Sequence, residues 1–111
     1  MYLPNGSSAE VDLKKLTNYC LSLTHPIGKH KAIVFLAALG VSRREASLLR
    51  NWLLDAALTD WAVPGRADEF GQRYTLDFPA STAVGSAMIR SAWMLKTGDD
   101  FPTLVTCYVL P

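Results

Sequence analysis

The sequence lacks the features of a membrane or secreted protein. None of its apolar runs approaches the roughly 20 residues that span a bilayer. The segment Met1 to Glu10 has no cationic start followed by an apolar stretch, so no signal peptide is expected. The chain has only two cysteines, Cys20 and Cys107, and their spacing fits neither a disulfide framework nor a zinc knuckle. These absences predict a reduced, cytoplasmic protein.

Strong charge and familiar catalytic motifs are also missing. The 11 basic and 10 acidic side chains leave a net charge of +1, so an anion site must come from local clustering rather than from bulk electrostatics. The sequence has no Gly-rich phosphate loop, no HExxH motif and no Gly-x-Ser-x-Gly elbow. We therefore expect no metal and no cofactor. A nucleophilic thiol is not expected either, because both cysteines fall on faces predicted to be buried.

The chain does have enough apolar material for one core. Half of its 111 residues are hydrophobic and 19% are charged, and a chain of this length buries roughly two-thirds of its unfolded surface. This composition excludes long disorder. It indicates a single domain over residues 1–111, with a polar lead over 1–11, a helical part over 12–60 and a sheet over 70–110.

Helical signals fill the first half. The buried side of the second predicted helix should contain Ile33, Phe35, Leu36 and Leu39, which recur at helical spacing. Pro26 separates the first two helices because it lacks an amide hydrogen. Three helices are predicted: Leu13 to Leu21 capped by Asp12, about Lys29 to Leu39 stopped by Gly40, and a third that runs from the capping box Ser42-Arg43-Arg44-Glu45 to about Thr59.

The second half changes to a period of two residues. Three alternating runs lie over 73–78, 88–95 and 104–110, and the turns between them are short. Short connections favour an antiparallel meander. The sequence therefore predicts an α+β fold, in which two to three N-terminal helices pack on one face of a C-terminal antiparallel sheet of three to four strands.

The alternation assigns the two faces of this sheet. The apolar face should pack on the helices, and includes Val105, Cys107 and Val109 on the last strand. The open face should carry Arg90, Thr106 and Tyr108, with Thr75 and Asp77 facing water. Arg90 interrupts a long apolar stretch, so it is either part of an anion-binding surface or an ion-pair partner. Trp52 and Trp61 are candidates for an exposed patch, although core packing is the simpler role for both.

A basic cluster stands at the start of the second helix. Lys29, His30 and Lys31 occupy a position where the helix dipole disfavours cations, which suggests a functional reason for them. His25 lies just before, in the turn with Pro26. The simpler alternatives are that the cluster is a solvated surface and that His25 holds the turn by hydrogen bonding to the backbone.

The chain contains an ordered set of short motifs: Lys15-Leu16-Thr17, Tyr19, His25-Pro26-x-Gly28-x-x-Lys31-Ala32, Phe35, Leu39-Gly40, Gly71-Gln72-x-Tyr74, Arg90-x-x-Trp93 and Pro102-x-Leu104-Val105-Thr106-x-Tyr108. This ordered set resembles a bacterial family, the domain of unknown function DUF6883. The resemblance spans nearly the whole chain and departs only at the C-terminus, where Tyr108 is followed by Val109-Leu110-Pro111 instead of proline. The layout of helices followed by a sheet is also similar to small metal-independent ribonucleases such as barnase, the EndoU nucleases, the colicin D nuclease domain and RelE-like toxins.

This resemblance implies a toxin-like ribonuclease from a toxin–antitoxin or polymorphic-toxin system, with RNA as substrate and a small antitoxin or immunity protein as partner. His25 or His30 would be the general acid or base. Lys31 and Arg90 would hold the phosphate, Thr106 would bond a phosphate oxygen, and Tyr108 would stack on a base or donate a proton.

The alternative is a noncatalytic interaction domain that binds a small partner protein. The near-neutral charge favours it, as does the absence of a linked acid–base pair in the sequence.

Overall fold

The computed structural model describes all residues, 1–111. Its helices occupy the first half of the chain and its strands the second, which confirms the α+β prediction. None of the helices combines the length and the apolar character needed to cross a bilayer. The elements are α1 (Leu13–Lys15, continued by a π-helical turn Leu16–Cys20), α2 (Lys29–Leu39), α3 (Ala46–Thr59, preceded by a 3₁₀ turn Arg43–Glu45), β1 (Ala62–Asp68), β2 (Gly71–Ser81), β3 (Ser86–Lys96) and β4 (Thr103–Val109), with a further 3₁₀ turn at Gly6–Ser8.

The helix ends follow from local chemistry. The side chain of Asp12 accepts from the Lys14 amide at 3.0 Å and caps α1. Ser42 and Glu45 form the predicted capping box, in which Ser42 accepts from the Arg44 amide and Glu45 accepts from the Ser42 amide. Gly40 ends α2 in the left-handed region, at φ 66°. A residue with a Cβ is strained there.

The sheet has the order β1-β2-β3-β4, with every pair antiparallel. The alternation of the sequence predicts β2, β3 and β4 but not β1, because Pro64-Gly65 reads as a break. Proline is tolerated in β1 because β1 is an edge strand, and the register shifts between Pro64 and Ala67.

A bulge in β4 changes the predicted faces. Trp93 pairs with Leu104 and Ala92 pairs with Thr106, so Val105 is the extra residue. Leu104 is therefore buried and Val105 only half-buried, the reverse of the strict alternation. Cys107 and Val109 lie in the core as predicted.

The core lies between the helices and one face of the sheet. Trp93 is fully buried; its Nε1 donates to Ser91 Oγ at 2.9 Å, and Ser91 Oγ donates to the Leu76 carbonyl at 2.8 Å. The indole N–H of this core residue is thus satisfied. Trp52 is half-buried and packs against the core, as expected. Trp61 does not, since it is 65% exposed and packs edge-on against Tyr2.

The predicted buried side of α2 is wrong at two positions. Phe35 and Leu39 are in the core, but Ile33 is 54% and Leu36 is 44% exposed. Ala32 is buried in their place. The helix is apolar on most of its sides, so helical spacing alone does not select the face that packs.

The N-terminal lead is also part of the packed fold. Leu3 and Val11 are buried in the core. Tyr2 forms a β-bridge with Trp61 beside β1, and Glu10 forms one with Thr103 of β4. The lead therefore reaches both edge strands.

Candidate functional site

The ammonium group of Lys31 is the centre of the candidate site. Its Nζ donates to Thr106 Oγ1 at 2.9 Å and to Tyr19 Oη at 3.0 Å. It also lies 4.7 Å from the ring centroid of Tyr19 and 5.7 Å from that of Tyr108. Lys31 is half-buried. We call Lys31, Tyr19, Thr106 and Tyr108, together with Lys15 of the same pocket, the Lys31 site.

Three elements bring these groups together. Lys31 projects from the first turn of α2, which packs against β4, and Tyr19 comes from the π-helical turn. Thr106 follows the extra residue of the β4 bulge. Bulges and π-helical turns are both common at functional sites, because they redirect a side chain away from the regular repeat.

The electrostatics of the site favour an anion. The two ion pairs of the chain join Arg66 to Asp68 and Arg90 to Asp77, so Lys31 has no carboxylate partner. Its pocket contains a second lysine, Lys15, and no acidic residue. Hydroxyl groups and ring faces stabilise an ammonium without cancelling its charge. The pocket can therefore offer two cations and two hydroxyls to an incoming anion.

His25 holds the turn before α2. Its Nδ1 accepts from the amides of Ile27 at 3.0 Å and Gly28 at 2.9 Å, so Nδ1 carries no proton and Nε2 is the only nitrogen left for other work. Its ring packs edge-on against Tyr19, with centroids 4.8 Å apart. A Cβ at Gly28 would collide with the Tyr19 carbonyl oxygen, so this position requires glycine. His25 thus contacts Tyr19, whose hydroxyl in turn accepts from Lys31.

His30 lies in a neighbouring groove. It is exposed on α2 and lines this groove with Lys31, Val34, Tyr108 and Val109. Its imidazole makes no hydrogen bond within the chain, unlike that of His25. Of the two histidines, His30 is the one whose ring is free beside the Lys31 site.

Arg90 lies one strand inward, on the open face. Asp77, Arg90 and Tyr108 form a row across β2, β3 and β4. Arg90 binds Asp77 through two hydrogen bonds of 2.9 Å, from Nε and Nη2. The Asp77 carboxylate, followed by the Tyr108 hydroxyl, raises the pKa of Arg90 above its ordinary value. Arg90 is therefore ion-paired, and Asp77 is paired rather than simply solvated. The contact of Arg90 with a phosphate stays a prediction.

The two cysteines meet beneath the site. Both are free and buried. The pKa of Cys20 is lowered, and the main cause is a hydrogen bond from the Cys107 thiol. Burial opposes this shift by raising the pKa. Hydrogen bonds from the Cys107 backbone and from Thr106, and the charge of Lys31, lower the pKa further. The same contact with Cys20 raises the pKa of Cys107. Cys20 Sγ lies 3.9 Å from Thr106 Oγ1, so this thiol pair is adjacent to a member of the Lys31 site.

The sequence singled out Lys31, Thr106 and Tyr108, and the structure brings these three together with Tyr19. It places His30 beside them, His25 behind Tyr19, and Arg90 on the neighbouring strand. Sequence reasoning did not single out Tyr19 or the contact of the two cysteines. The only signal for Tyr19 was its place in the family motif, because no local pattern links residue 19 to residues 31 and 106.

Comparison with known proteins gives a family and no further relative. No curated protein and no solved structure matches the chain. The model of the family described as Domain of unknown function (DUF6883) matches residues 2–111. Since that match covers almost the whole sequence, the chain belongs to the DUF6883 family.

Proposed function

We propose that the chain is a small toxin-like ribonuclease that works without a metal ion, with the Lys31 site as its phosphate-binding centre. The observation that carries the proposal is a half-buried Lys31 ammonium that is held by Tyr19 and Thr106 hydroxyls and has no carboxylate partner. The reaction type is proposed by analogy alone, from the order of helices followed by a sheet that the sequence predicts.

RNA carries its own nucleophile, so the protein has few steps to perform. The 2′-oxygen attacks phosphorus and forms a new P–O bond while the bond to the 5′-oxygen breaks, giving a 2′,3′-cyclic phosphate and a free 5′-hydroxyl. A base takes the proton of the 2′-hydroxyl, and an acid gives one to the departing 5′-oxygen. Negative charge builds on the phosphate oxygens that are not in these bonds.

The position of each residue in or beside the Lys31 site suggests which of these tasks it performs. Lys31 stabilises the developing charge on the phosphate, and Thr106 bonds a phosphate oxygen. His30 is the proposed acid or base, because its ring is unengaged in the groove shared with Lys31 and Tyr108. His25 could act only through Nε2, since Nδ1 accepts two amides. Tyr108 is proposed to stack on a base or to donate a proton.

The test is cleavage of total RNA by the purified chain in the presence of a chelator. The wild type should cleave, and Lys31→Met should cleave at least about 100-fold more slowly, the loss typical for one group that stabilises transition-state charge. Lys29→Met removes an exposed lysine of the same helix and should cleave like the wild type. Intact RNA with the wild type, or equal cleavage by Lys31→Met, would contradict the proposal.

Two further variants test the proposed phosphate contact of Arg90. Arg90→Ala should slow cleavage strongly with little loss of stability, because its ion pair is partly solvent-exposed. Asp77→Asn frees the guanidinium from its carboxylate and should keep cleavage at or above the wild-type rate. If Arg90→Ala cleaves as well as the wild type, Arg90 is only a structural partner of Asp77.

A further inference from the structure

A second concave surface lies on another side of α2. It is bounded by the segment after α1, by α2, and by the 3₁₀ turn that opens α3. Leu21 and Ala32 form its buried floor, while Leu23 and Leu36 line it with 51% and 44% of their surface exposed. We call this surface the Leu36 groove. It shares no lining residue with the Lys31 site.

Apolar surface continues along the helix. Ile33 precedes Leu36 by three residues, so the two side chains are neighbours on the helix surface, and Ile33 is 54% exposed. Adjacent exposed apolar side chains beside a groove are typical of a protein-binding surface. The groove also has hydroxyl groups, from Ser22, Thr24 and Ser42, but the exposed leucine and isoleucine side chains offer no hydrogen bonds to base edges and favour an apolar protein ligand.

The rim of the groove carries charge of one sign. Arg43 and Arg44 line it, both are exposed, and neither belongs to an ion pair. Glu45 stands next to them in sequence, but it accepts from the amide and the hydroxyl of Ser42, each at 3.1 Å. No acidic residue lines the groove. Its charge is therefore complementary to a carboxylate-bearing ligand.

We propose that the Leu36 groove binds an acidic amphipathic segment of another protein. Leucine, isoleucine or phenylalanine side chains of that segment, three or four residues apart, cover Leu23, Leu36 and Ile33. Aspartate or glutamate side chains on its flank pair with Arg43 and Arg44. Such binding does not depend on the proposed cleavage of RNA, because the groove lies on a different side of α2.

The test starts from a displayed library of random peptides, about five helical turns long, selected against the full chain. The selected peptides should have an excess of acidic residues and apolar residues at helical spacing. A peptide that meets this description is then synthesised with a fluorescent label, and its Kd is measured by anisotropy. Selection of basic or purely polar peptides, or of none, would overturn the proposal.

Charge-reversal variants locate the binding surface. Arg43→Glu combined with Arg44→Glu should weaken binding at least about tenfold, and added salt should weaken wild-type binding in the same direction. The matched control, Arg66→Glu with Lys96→Glu, reverses two exposed cations outside the groove and should leave the Kd within about twofold. Equal losses in both double variants would mean that the peptide responds only to net charge and would overturn the assignment.

Two more variants separate binding in the Leu36 groove from binding elsewhere on the chain. Leu36→Ser should weaken binding while the circular dichroism spectrum stays unchanged, because Leu36 is not a core residue. Lys31→Met should lose RNA cleavage but bind the peptide like the wild type. If the peptide binds Leu36→Ser like the wild type, it binds outside the groove and the proposal is overturned. Displacement of the peptide by single-stranded RNA, or by self-association of the chain, would show that the groove has another occupant and would also overturn it.

Discussion

At the scale of single residues, Lys31 and Cys20 share one hydroxyl. Thr106 Oγ1 accepts from Lys31 Nζ at 2.9 Å and lies 3.9 Å from Cys20 Sγ. The positive charge of Lys31 therefore acts on the thiol pair as well as on the pocket. Spacing along the chain predicts the basic cluster at the start of α2, but it does not predict this contact, because residues 20, 31 and 106 meet only through the packing of α2 and the bulge in β4.

Replacement of Lys31 by Met should raise the pKa of Cys20. The charge of Lys31 is one of the causes that lower this pKa, although the hydrogen bond from Cys107 is the largest. The measurement is the ultraviolet absorbance of the thiolate as a function of pH in the reduced protein. Lys29→Met is the control and should leave the titration in place, while an unchanged titration in Lys31→Met would show that Lys31 does not act on the thiol.

The same thiol pair should make stability depend on pH. Contacts in the folded chain lower the pKa of Cys20 to about 6, below the value of about 8.5 for a free thiol. When folding lowers the pKa of a group, the resulting stabilisation is fully present at pH values above the pKa in the unfolded chain. It is lost as the pH falls through the pKa in the folded chain. The free energy of unfolding should therefore decrease from pH 8.5 to 6 by more in the wild type than in Cys20→Ser.

Urea titrations of the two reduced proteins at several pH values measure this difference. The comparison with Cys20→Ser removes the contributions of the other groups that both proteins share. The raised pKa of Cys107 changes stability in the opposite direction. Its contribution to the free energy of unfolding is present below the pKa of a thiol in the unfolded chain and decreases only at higher pH. Parallel curves for the two proteins between pH 6 and 8.5 would contradict the assignment.

At the scale of elements, the features that the sequence predicts are those encoded by neighbouring residues. The capping box at Ser42 and the glycine stop at residue 40 both depend on contacts within a few residues, and both are found. The π-helical turn after α1 and the bulge at Val105 depend on packing between distant elements. Period-two and helical spacing contain no signal for them, and these two irregular places position Tyr19 and Thr106.

Loss of the cap should destabilise α3 measurably. Ser42→Ala removes the side-chain oxygen that accepts from the Arg44 amide and should lower the free energy of unfolding by about 1 kcal/mol. Urea unfolding measures the change. The control Ser47→Ala alters an exposed serine inside α3 and should be neutral or slightly stabilising, because alanine favours helix. Equal effects of the two substitutions would mean that the cap makes no net contribution.

At the scale of the whole molecule, composition and the order of elements predict the α+β class, and the structure confirms it. They do not predict which apolar residues are buried. Trp93 is fully buried, whereas Trp61, Ile33 and Leu36 are exposed. An apolar side chain has the same pattern in the sequence whether it faces the core or a partner, so the exposed side of α2 becomes visible only once the chain is folded.

Two of the tryptophans test this distinction between buried and exposed apolar residues. Trp93→Ala removes a fully buried ring and should destabilise the chain by about 3–5 kcal/mol, a large fraction of the about 5–15 kcal/mol by which folded proteins are ordinarily stable. Trp61→Ala removes an exposed ring and should cost about 0.5 kcal/mol or less. Urea unfolding followed by circular dichroism compares the two. A larger loss from Trp61→Ala than from Trp93→Ala would contradict the described core.

The N-terminal lead has a protective consequence for the open sheet. Met1 exchanges hydrogen bonds with Ala62 at 2.7 and 3.1 Å, and Glu10 bonds Pro102 and Leu104 at 2.9 and 3.0 Å. A segment of ten residues thus occupies backbone groups beside both outermost strands. Proteolytic removal of this segment would free the backbone groups at the start of each outermost strand, and unpaired strand edges are templates for intermolecular β-pairing. We therefore expect the truncated chain to aggregate more readily than the intact one.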